Sequence, residues 1–279
     1  RQNSMDKVNE AAAIAKKSDL AIVVVGENPL RYQKSKTCGE NIDRMGLDLL
    51  GTQNQLVQKI HETGVPTIVV LVGGRPLSVN WIAQNVQALV QAWEPGSLGG
   101  RALANILAGK VNPSAKLPIS IPRHSGQIQM IYNHKPSQYF HKYIDGPSTP
   151  LYPFGFGLSY TRFAYSSLKL SHTRISDKDS FTASIELTNV GDREGTEVVQ
   201  LYIRDVYSSA TRPVKELKDF ARVTLKPGEK KTVTFTVTPD KLAYWNRNMQ
   251  YGVEKGEFEI MIGSSSQDKD LKKVKMEVL

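Results

Sequence analysis

Two kinds of hydrophobic pattern divide the chain. In the first half, continuous apolar runs alternate with helical spacing. Met5, Val8, Ala12 and Ala15 fall on one helical face, with Ser4 at the N-cap position. Residues 20–25 (LAIVVV) follow as a β-branched run that suits a buried strand. Leu56, Val57 and Ile60 mark a second helix closed by Gly64, and residues 67–72 (TIVVLV) a second strand. Pro76 predicts the start of a short helix that carries Val79 and Ile82. Residues 88–93 (ALVQAW) read as a third strand, and Ala102, Leu103, Ile106 and Leu107 as a helix ended by Gly109. Residues 117–121 (LPISI) read as a fourth strand, near an edge because of Pro118. Apolar strands separated by amphipathic helices predict a mainly parallel sheet with helices on both faces.

The second half has period two. Phe181, Ala183, Ile185 and Leu187 alternate with polar residues. So do Val199, Leu201 and Ile203, then Val233, Phe235 and Val237, then Phe258, Ile260 and Ile262. Each set describes a strand with one buried face. Turn signals at Asn189-Val190-Gly191-Asp192, Lys226-Pro227-Gly228 and Lys255-Gly256 separate them. These features predict an all-β sandwich of the immunoglobulin or fibronectin type III kind. With no Cys-Trp-Cys pattern, a disulfide-bonded immunoglobulin domain is excluded. The segment LYPFGFGLSY at 151–160 carries four aromatics, so it is expected to pack between the domains rather than act as a solvated spacer. The predicted division is an α/β domain over 1–123, a linker segment over 124–162 and the all-β domain over 163–279.

Composition adds limits. At 279 residues, 40% hydrophobic and 23% charged, the chain has the balance of a folded protein of about two domains. No stretch approaches the roughly 20 apolar residues of a membrane span. The single Cys38 rules out an internal disulfide framework and a cysteine-based zinc site. The chain opens on Arg1 without a signal-peptide pattern, as expected of a processed form or a piece of something longer. A net charge of +9 reads as a solvated basic surface. Its lysine clusters lack the interleaved aromatics of a nucleic-acid groove, so no nucleic-acid partner is expected.

Ligands of open parallel sheets bind beyond the carboxyl ends of the strands. After the first strand stand Gly26-Glu27-Asn28 and a loop reaching about Leu50, which contains Cys38-Gly39-Glu40-Asn41-Ile42-Asp43-Arg44. Unstructured loops of that length are usually functional or disordered. Gly73-Gly74-Arg75-Pro76 follows the second strand, and Trp93-Glu94-Pro95-Gly96 the third. Phosphate-binding glycines, a Walker lysine, an H-E-x-x-H pair and a G-x-S-x-G elbow are all missing. Cys38 has no indicated partner histidine and reads as an incidental thiol. Taken singly, Glu27, Glu40, Asp43 and Asp48 read as solvated loop acids or capping groups.

The collinear motifs change that reading. DLAIVVVGEN at 19–28, CGENIDRMGLDL at 38–49, VPTIVVLVGGRPL at 65–77 and QAWEPGSLGGRALANILAGKVNPSAKLPISIPR at 91–123 resemble the C-terminal part of family 3 glycoside hydrolases, the β-glucosidase and β-xylosidase group. LYPFGFGLSYTRF at 151–163, NVGDREGTEVVQLYIRD at 189–205 and RPVKELKDFARVTLKPGE at 212–229 extend the resemblance over nearly the whole chain. It implies an α/β sandwich followed by a fibronectin type III-like domain. It also implies a parent that hydrolyses terminal non-reducing β-D-glucosides, or β-xylosides, with retention. In the family the nucleophilic aspartate lies on an N-terminal barrel, and neither a barrel nor that aspartate's context occurs here. The partner so implied is the barrel domain, and the chain by itself is expected to be inactive.

The same resemblance assigns the general acid/base to the loop after the first strand. Gly39-Glu40-Asn41-Ile42-Asp43-Arg44 matches the family's E-G-x-D-R-like string, which makes Glu40 the assignment and Glu27 the runner-up. A glycine often follows the glutamate, and Asn41 stands there instead. Glu27, at the strand end, reads more simply as positioning the loop through backbone hydrogen bonds. Arg44 is a candidate for orienting the loop or touching sugar, Arg75 for tying loops together, and Trp93 for stacking on sugar or filling the core. Tyr244, Trp245 and Tyr251 read as sandwich core. No cofactor or metal is implied. A periplasmic or secreted location is expected, as for similar parents. The rival readings are a non-catalytic carbohydrate-binding or assembly module and an unrelated α/β ligand-binding domain.

Overall fold

The computed structural model describes residues 4–28, 36–39, 41–42, 44–127, 129–136 and 143–279. The chain separates into two units. One comprises residues 1–108 with 121–129, the other residues 109–120 with 130–279.

In the first unit, helix α1 (Met5–Ala15) precedes strand β1 (Ala21–Gly26), and helix α2 (Gln53–His61) precedes β2 (Thr67–Val72). Helix α3 (Asn80–Asn85), β3 (Ala88–Trp93) and α4 (Gly99–Leu107) follow. The strands pair in the order β1-β2-β3, all parallel. Val69, Val70 and Leu71 of β2 are buried as its apolar run predicts, with Val57, Ile60, Leu77 and Ile82 beside them. β1 departs from the buried-strand expectation. Val23 and Val25 are buried, but Ile22 and Val24 are 50% and 62% exposed, because successive side chains point to opposite faces of the sheet and only one face of this strand is covered. Ser4 has the extended backbone of an N-cap, yet its side chain makes no capping bond. Helix α3 begins four residues after Pro76, at Asn80, whose amide reaches back to the carbonyl of Arg123 at 2.7 Å.

The expected fourth strand at 117–121 does not form. Leu117 N–H donates to the Phe156 carbonyl at 2.8 Å, and Gly155 N–H donates to the Leu117 carbonyl at 2.8 Å. The segment thus spends its backbone groups on the aromatic stretch 151–160 within the second unit. Pro118, with no N–H, cannot extend the pairing. Lys116 strengthens the attachment. Its ammonium lies 2.8 Å from Glu197 Oε1 and donates to the Gly157 carbonyl at 2.9 Å. Both side chains are largely buried at the wall of a cleft of about 410 Å³.

The strands of the second unit form its main structure. Its strands are β4 (Phe163–Tyr165), β5 (Lys169–Leu170), β6 (Arg174–Ile175), β7 (Phe181–Asn189), β8 (Gly195–Asp205) and β9 (Glu216–Leu225). They continue with β10 (Lys230–Val237), a single turn of helix α5 (Pro239–Leu242), β11 (Tyr244–Trp245), β12 (Tyr251–Gly252), β13 (Gly256–Gly263) and β14 (Leu271–Val278). One sheet has the order β10-β7-β4, with β5 also on β7, and the other β6-β14-β13-β8-β9. Both send their alternating apolar residues into one core. Phe181, Ala183, Ile185 and Leu187 on β7 share it with Val199, Leu201 and Ile203 on β8. Val233, Phe235 and Val237 on β10 and Phe258, Ile260 and Ile262 on β13 complete it. The period-two reading of these strands matches the structure.

A smaller cluster shows where the aromatic segment goes. Tyr132 stacks on Phe154 at 4.2 Å, and both pack against buried Tyr202, Met261 and Leu271. Asn189, fully buried at the end of β7, explains the turn signal at 189–192. Its amide donates to the carbonyls of Arg193 (2.7 Å) and Leu225 (2.9 Å). Its oxygen accepts from the Thr161 hydroxyl (2.6 Å) and from Gly191 N–H (3.1 Å).

Candidate functional site

The carboxyl ends of β1 and β2 meet at Glu27. Its N–H donates to the Val72 carbonyl at 2.8 Å, which continues the β1–β2 pairing by one residue. Gly26 before it is held by the Gln53 side chain. Gly26 N–H donates to Gln53 Oε1 at 2.6 Å, and Gln53 Nε2 returns a bond to the Gly26 carbonyl at 3.0 Å. Gly26 has φ +143, and a Cβ there would lie 1.8 Å from the Val72 carbonyl oxygen. Only glycine fits that position.

The Glu27 side chain is 1% exposed. A buried carboxylate needs charged or hydrogen-bonding partners, and two arginines supply them. Arg44 Nη1 lies 2.6 Å from Oε1, and Arg75 Nε lies 2.9 Å from Oε2. Arg44 also donates through Nη2 to the Asp48 carbonyl. Buried Cys38 stands in the field of the same charged groups. Burial pushes its pKa up, Glu27 adds to the rise, and Arg75 opposes it. A thiol so placed is a poor nucleophile, in keeping with the incidental role read for it. Gly73, at the end of β2, has φ +150, and its missing Cβ leaves room for Glu27, whose own Cβ would be 3.2 Å away.

The loop after β1 is fixed at several described points. Asn28 and Thr37 close its first part. Asn28 N–H donates to Thr37 Oγ1 at 2.9 Å, and Thr37 N–H donates to the Asn28 carbonyl at 2.8 Å. Ile42 N–H donates to the Gly39 carbonyl at 2.9 Å, which makes a turn. In it Asn41 has φ +61. Asparagine is among the non-glycine residues that best tolerate this region, so Asn41 takes a conformation that glycine would otherwise serve. Glu40 and Asp43 lie outside the described residues.

Arg44 therefore faces the runner-up Glu27, and Arg75 ties the end of β2 to the end of β1. Both contacts were hidden in the sequence, because residues 27, 44 and 75 are far apart in the chain. Trp93 closes β3 with φ +53 and accepts at its carbonyl from Gly73 N–H at 3.0 Å. Its side chain is half-buried. Tyr244 is buried, but Trp245 and Tyr251 are 60% and 52% exposed, against the core reading made for them. They are paired across the two-residue β11–β12 ladder, ring centroids 5.4 Å apart, and contribute to neither large sheet. Among the described residues there is no cluster of three His, Cys, Asp or Glu side chains able to hold a metal ion. Among them also, no helix is long and apolar enough to cross a membrane.

Comparison with known proteins decides the family. Residues 2–160 match the glycosyl hydrolase family 3 C-terminal domain. The chain belongs to glycosyl hydrolase family 3. Residues 197–266 further match the fibronectin type III-like domain, over the central strands of the second unit. Among relatives of this family 3 chain, a β-xylosidase of Formosa agariphila is 47% identical over 96% of the chain and 37% of its own length. A periplasmic β-glucosidase of Salmonella typhimurium is 41% identical over 93% of the chain and 34% of its own length. Among solved structures, a β-glucosidase from Erythrobacter marinus superimposes with a TM-score of 0.90 at 40% identity, covering 98% of this chain and 36% of that one. The β-glucosidase of Listeria innocua, solved in complex with glucose, gives 0.89 at 34% identity, covering 99% of this chain and 38% of that one. The chain thus spans little more than a third of the length of these relatives.

Proposed function

We propose that this chain is the C-terminal, acid/base-bearing part of a retaining β-glycosidase that acts on terminal non-reducing β-D-glucosides. In this reading the first unit is the family's α/β sandwich and the second carries the immunoglobulin-like fold of a fibronectin type III domain. The nucleophilic aspartate and most sugar-binding groups lie on a barrel domain outside these residues. A β-xyloside substrate is the second reading, favoured by the 47% identity to a protein named β-xylosidase. The name of the Salmonella relative supports a periplasmic or secreted setting.

The catalytic group proposed on this chain is Glu40. Retaining hydrolysis needs two carboxyl groups about 5–5.5 Å apart. One attacks the anomeric carbon. The other protonates the departing oxygen and then removes a proton from the incoming water. The donor must be protonated when substrate arrives, which requires a pKa raised by burial or by the neighbouring carboxylate. A loop from a second domain suits that role, because its closure over the sugar completes the site and excludes water. The supporting observation is the anchoring of the sequence on either side of residue 40. Cys38 is buried on one side, and Arg44 is bound to Glu27 on the other. Glu27 is a poor alternative, since both of its oxygens already face guanidinium nitrogens.

The test is Glu40→Gln in the full-length enzyme. We expect kcat/KM to fall by about 10²–10⁴-fold on a disaccharide, whose leaving group needs a proton. On a dinitrophenyl glycoside, whose leaving group needs little, kcat/KM should change far less. Equal losses on both substrates would refute the assignment. The chain by itself is expected to leave an aryl β-glucoside unhydrolysed, and robust turnover would overturn that part of the reading.

A further inference from the structure

We infer that Glu27 is a positioning residue for proton transfer, holding the Glu40-bearing loop through Arg44. The inference rests on the Glu40 reading above and adds a second residue to the same site. Its basis is an arrangement that neither family membership nor sequence spacing specifies. One carboxylate, 1% exposed, is bound by the arginine that stands four positions after residue 40. Arg44 Nη1 lies 2.6 Å from Oε1 of Glu27, and Cys38 is buried on the other side of residue 40. In the sequence, residue 40 stands two positions after buried Cys38 and four before Arg44.

The anchor itself is rigid. Its backbone extends the β1–β2 ladder through the bond to Val72, and Gln53 fixes Gly26 from both sides. Arg75 holds the second oxygen from the end of β2, and Gly73 leaves the space that lets the carboxylate lie there. The first part of the loop returns to the strand end by its own Asn28–Thr37 pair. Arg44 is thus tied to Glu27, whereas Asn28 and Thr37 pair with each other. A proton donor has to sit within hydrogen-bond reach of the oxygen it protonates, and misplacement by about 1 Å can lower a rate on the order of 10²-fold. Glu27 touches no reacting atom in this scheme. Its effect on catalysis passes through Glu40 and so should carry the signature of a proton donor.

The experiment compares Glu27→Gln, Arg44→Met and Glu40→Gln in the full-length enzyme, each with a disaccharide and a dinitrophenyl glycoside. Glu27→Gln keeps the side-chain shape and removes the charge. Arg44→Met releases the loop but leaves Arg75 to neutralise Glu27, so it decides the question if Glu27→Gln does not fold. We expect kcat/KM on the disaccharide to fall about 10²-fold in Glu27→Gln and about 10-fold in Arg44→Met. On the dinitrophenyl glycoside both should stay within about threefold of the parent, because no proton is needed there. If Glu40→Gln shows this split and neither folded anchor variant does, the positioning role is overturned and the Glu40 assignment stands. Equal losses on both substrates in the anchor variants overturn it too, since they indicate general structural damage. If Glu40→Gln shows no split, the Glu40 reading falls and the inference with it.

Discussion

Replacing Lys116 with methionine tests why residues 109–120 belong with the β strands. The ammonium lies 2.8 Å from Glu197 Oε1, with side-chain exposures of 12% and 7%. At an effective dielectric of about 20 that separation corresponds to roughly 6 kcal/mol of attraction. Desolvation of both groups offsets much of it. Burial already raises the Glu197 pKa, with Lys116 as the main opposing influence. Without the lysine the carboxylate would be buried with only the Val198 N–H, at 2.8 Å, to stabilise it. Breaking such a pair costs about 3–5 kcal/mol at neutral pH. The sign with pH follows from the raised pKa. Protonated Glu197 tolerates burial, so the deficit should be small near pH 4.5 and grow as the pH rises through the variant's elevated folded-state pKa. Urea unfolding of the chain at pH 4.5 and pH 8 measures both values, and adding Glu197→Gln should recover most of the loss at pH 8. A loss equal at the two pH values, or below about 1 kcal/mol at pH 8, would refute the reasoning.

Two further predictions concern the same unit. Asn189→Asp sets carboxylate oxygen against the carbonyls of Arg193 and Leu225 in a fully buried site. It should cost about 3–5 kcal/mol in urea unfolding, and a loss under about 1 kcal/mol would contradict the bonding described. Asp205 is raised to about 6, first by burial, with Arg212 opposing from 3.9 Å and Glu254 adding to the rise. Its folded-state pKa exceeds the unfolded one, so its contribution is complete below about pH 3.9 and lost as pH rises through about 6. Asp205→Asn should flatten the pH dependence of stability between pH 4 and 7 by about 2–3 kcal/mol, and an unchanged slope would count against it.

How far the chain could be read before its structure depends on the range of the forces involved. The period-two strands were legible because each residue reports its own face, and all four alternating sets meet in one core. The three parallel strands were legible in position, as apolar runs between helical stretches, although the half-exposed β1 was read as a buried strand. Residues 117–121 misled because an apolar run with one proline resembles an edge strand. What decides its pairing is a pair of backbone bonds to Gly155 and Phe156, nearly 40 residues onward. Trp245 and Tyr251 were misread because aromatic residues usually fill cores, whereas a two-residue ladder outside both sheets leaves them to solvent. Within the site, motif resemblance singled out the loop and its residue types. The partnership of Glu27 with Arg44 and Arg75 depends on how the ends of β1 and β2 and the position of Arg44 meet in space, which no local pattern records.

The most direct measurement of the central claim is product analysis of full-length Glu40→Ala with added azide. A retaining enzyme without its acid/base can still form the glycosyl-enzyme from a dinitrophenyl glycoside, but it lacks the base that activates water. Azide needs no base. The account predicts a rate increase with azide concentration and a glycosyl azide of retained β configuration. No acceleration in Glu40→Ala, together with β-glycosyl azide from Glu27→Ala, would contradict it and move the proton donor to Glu27.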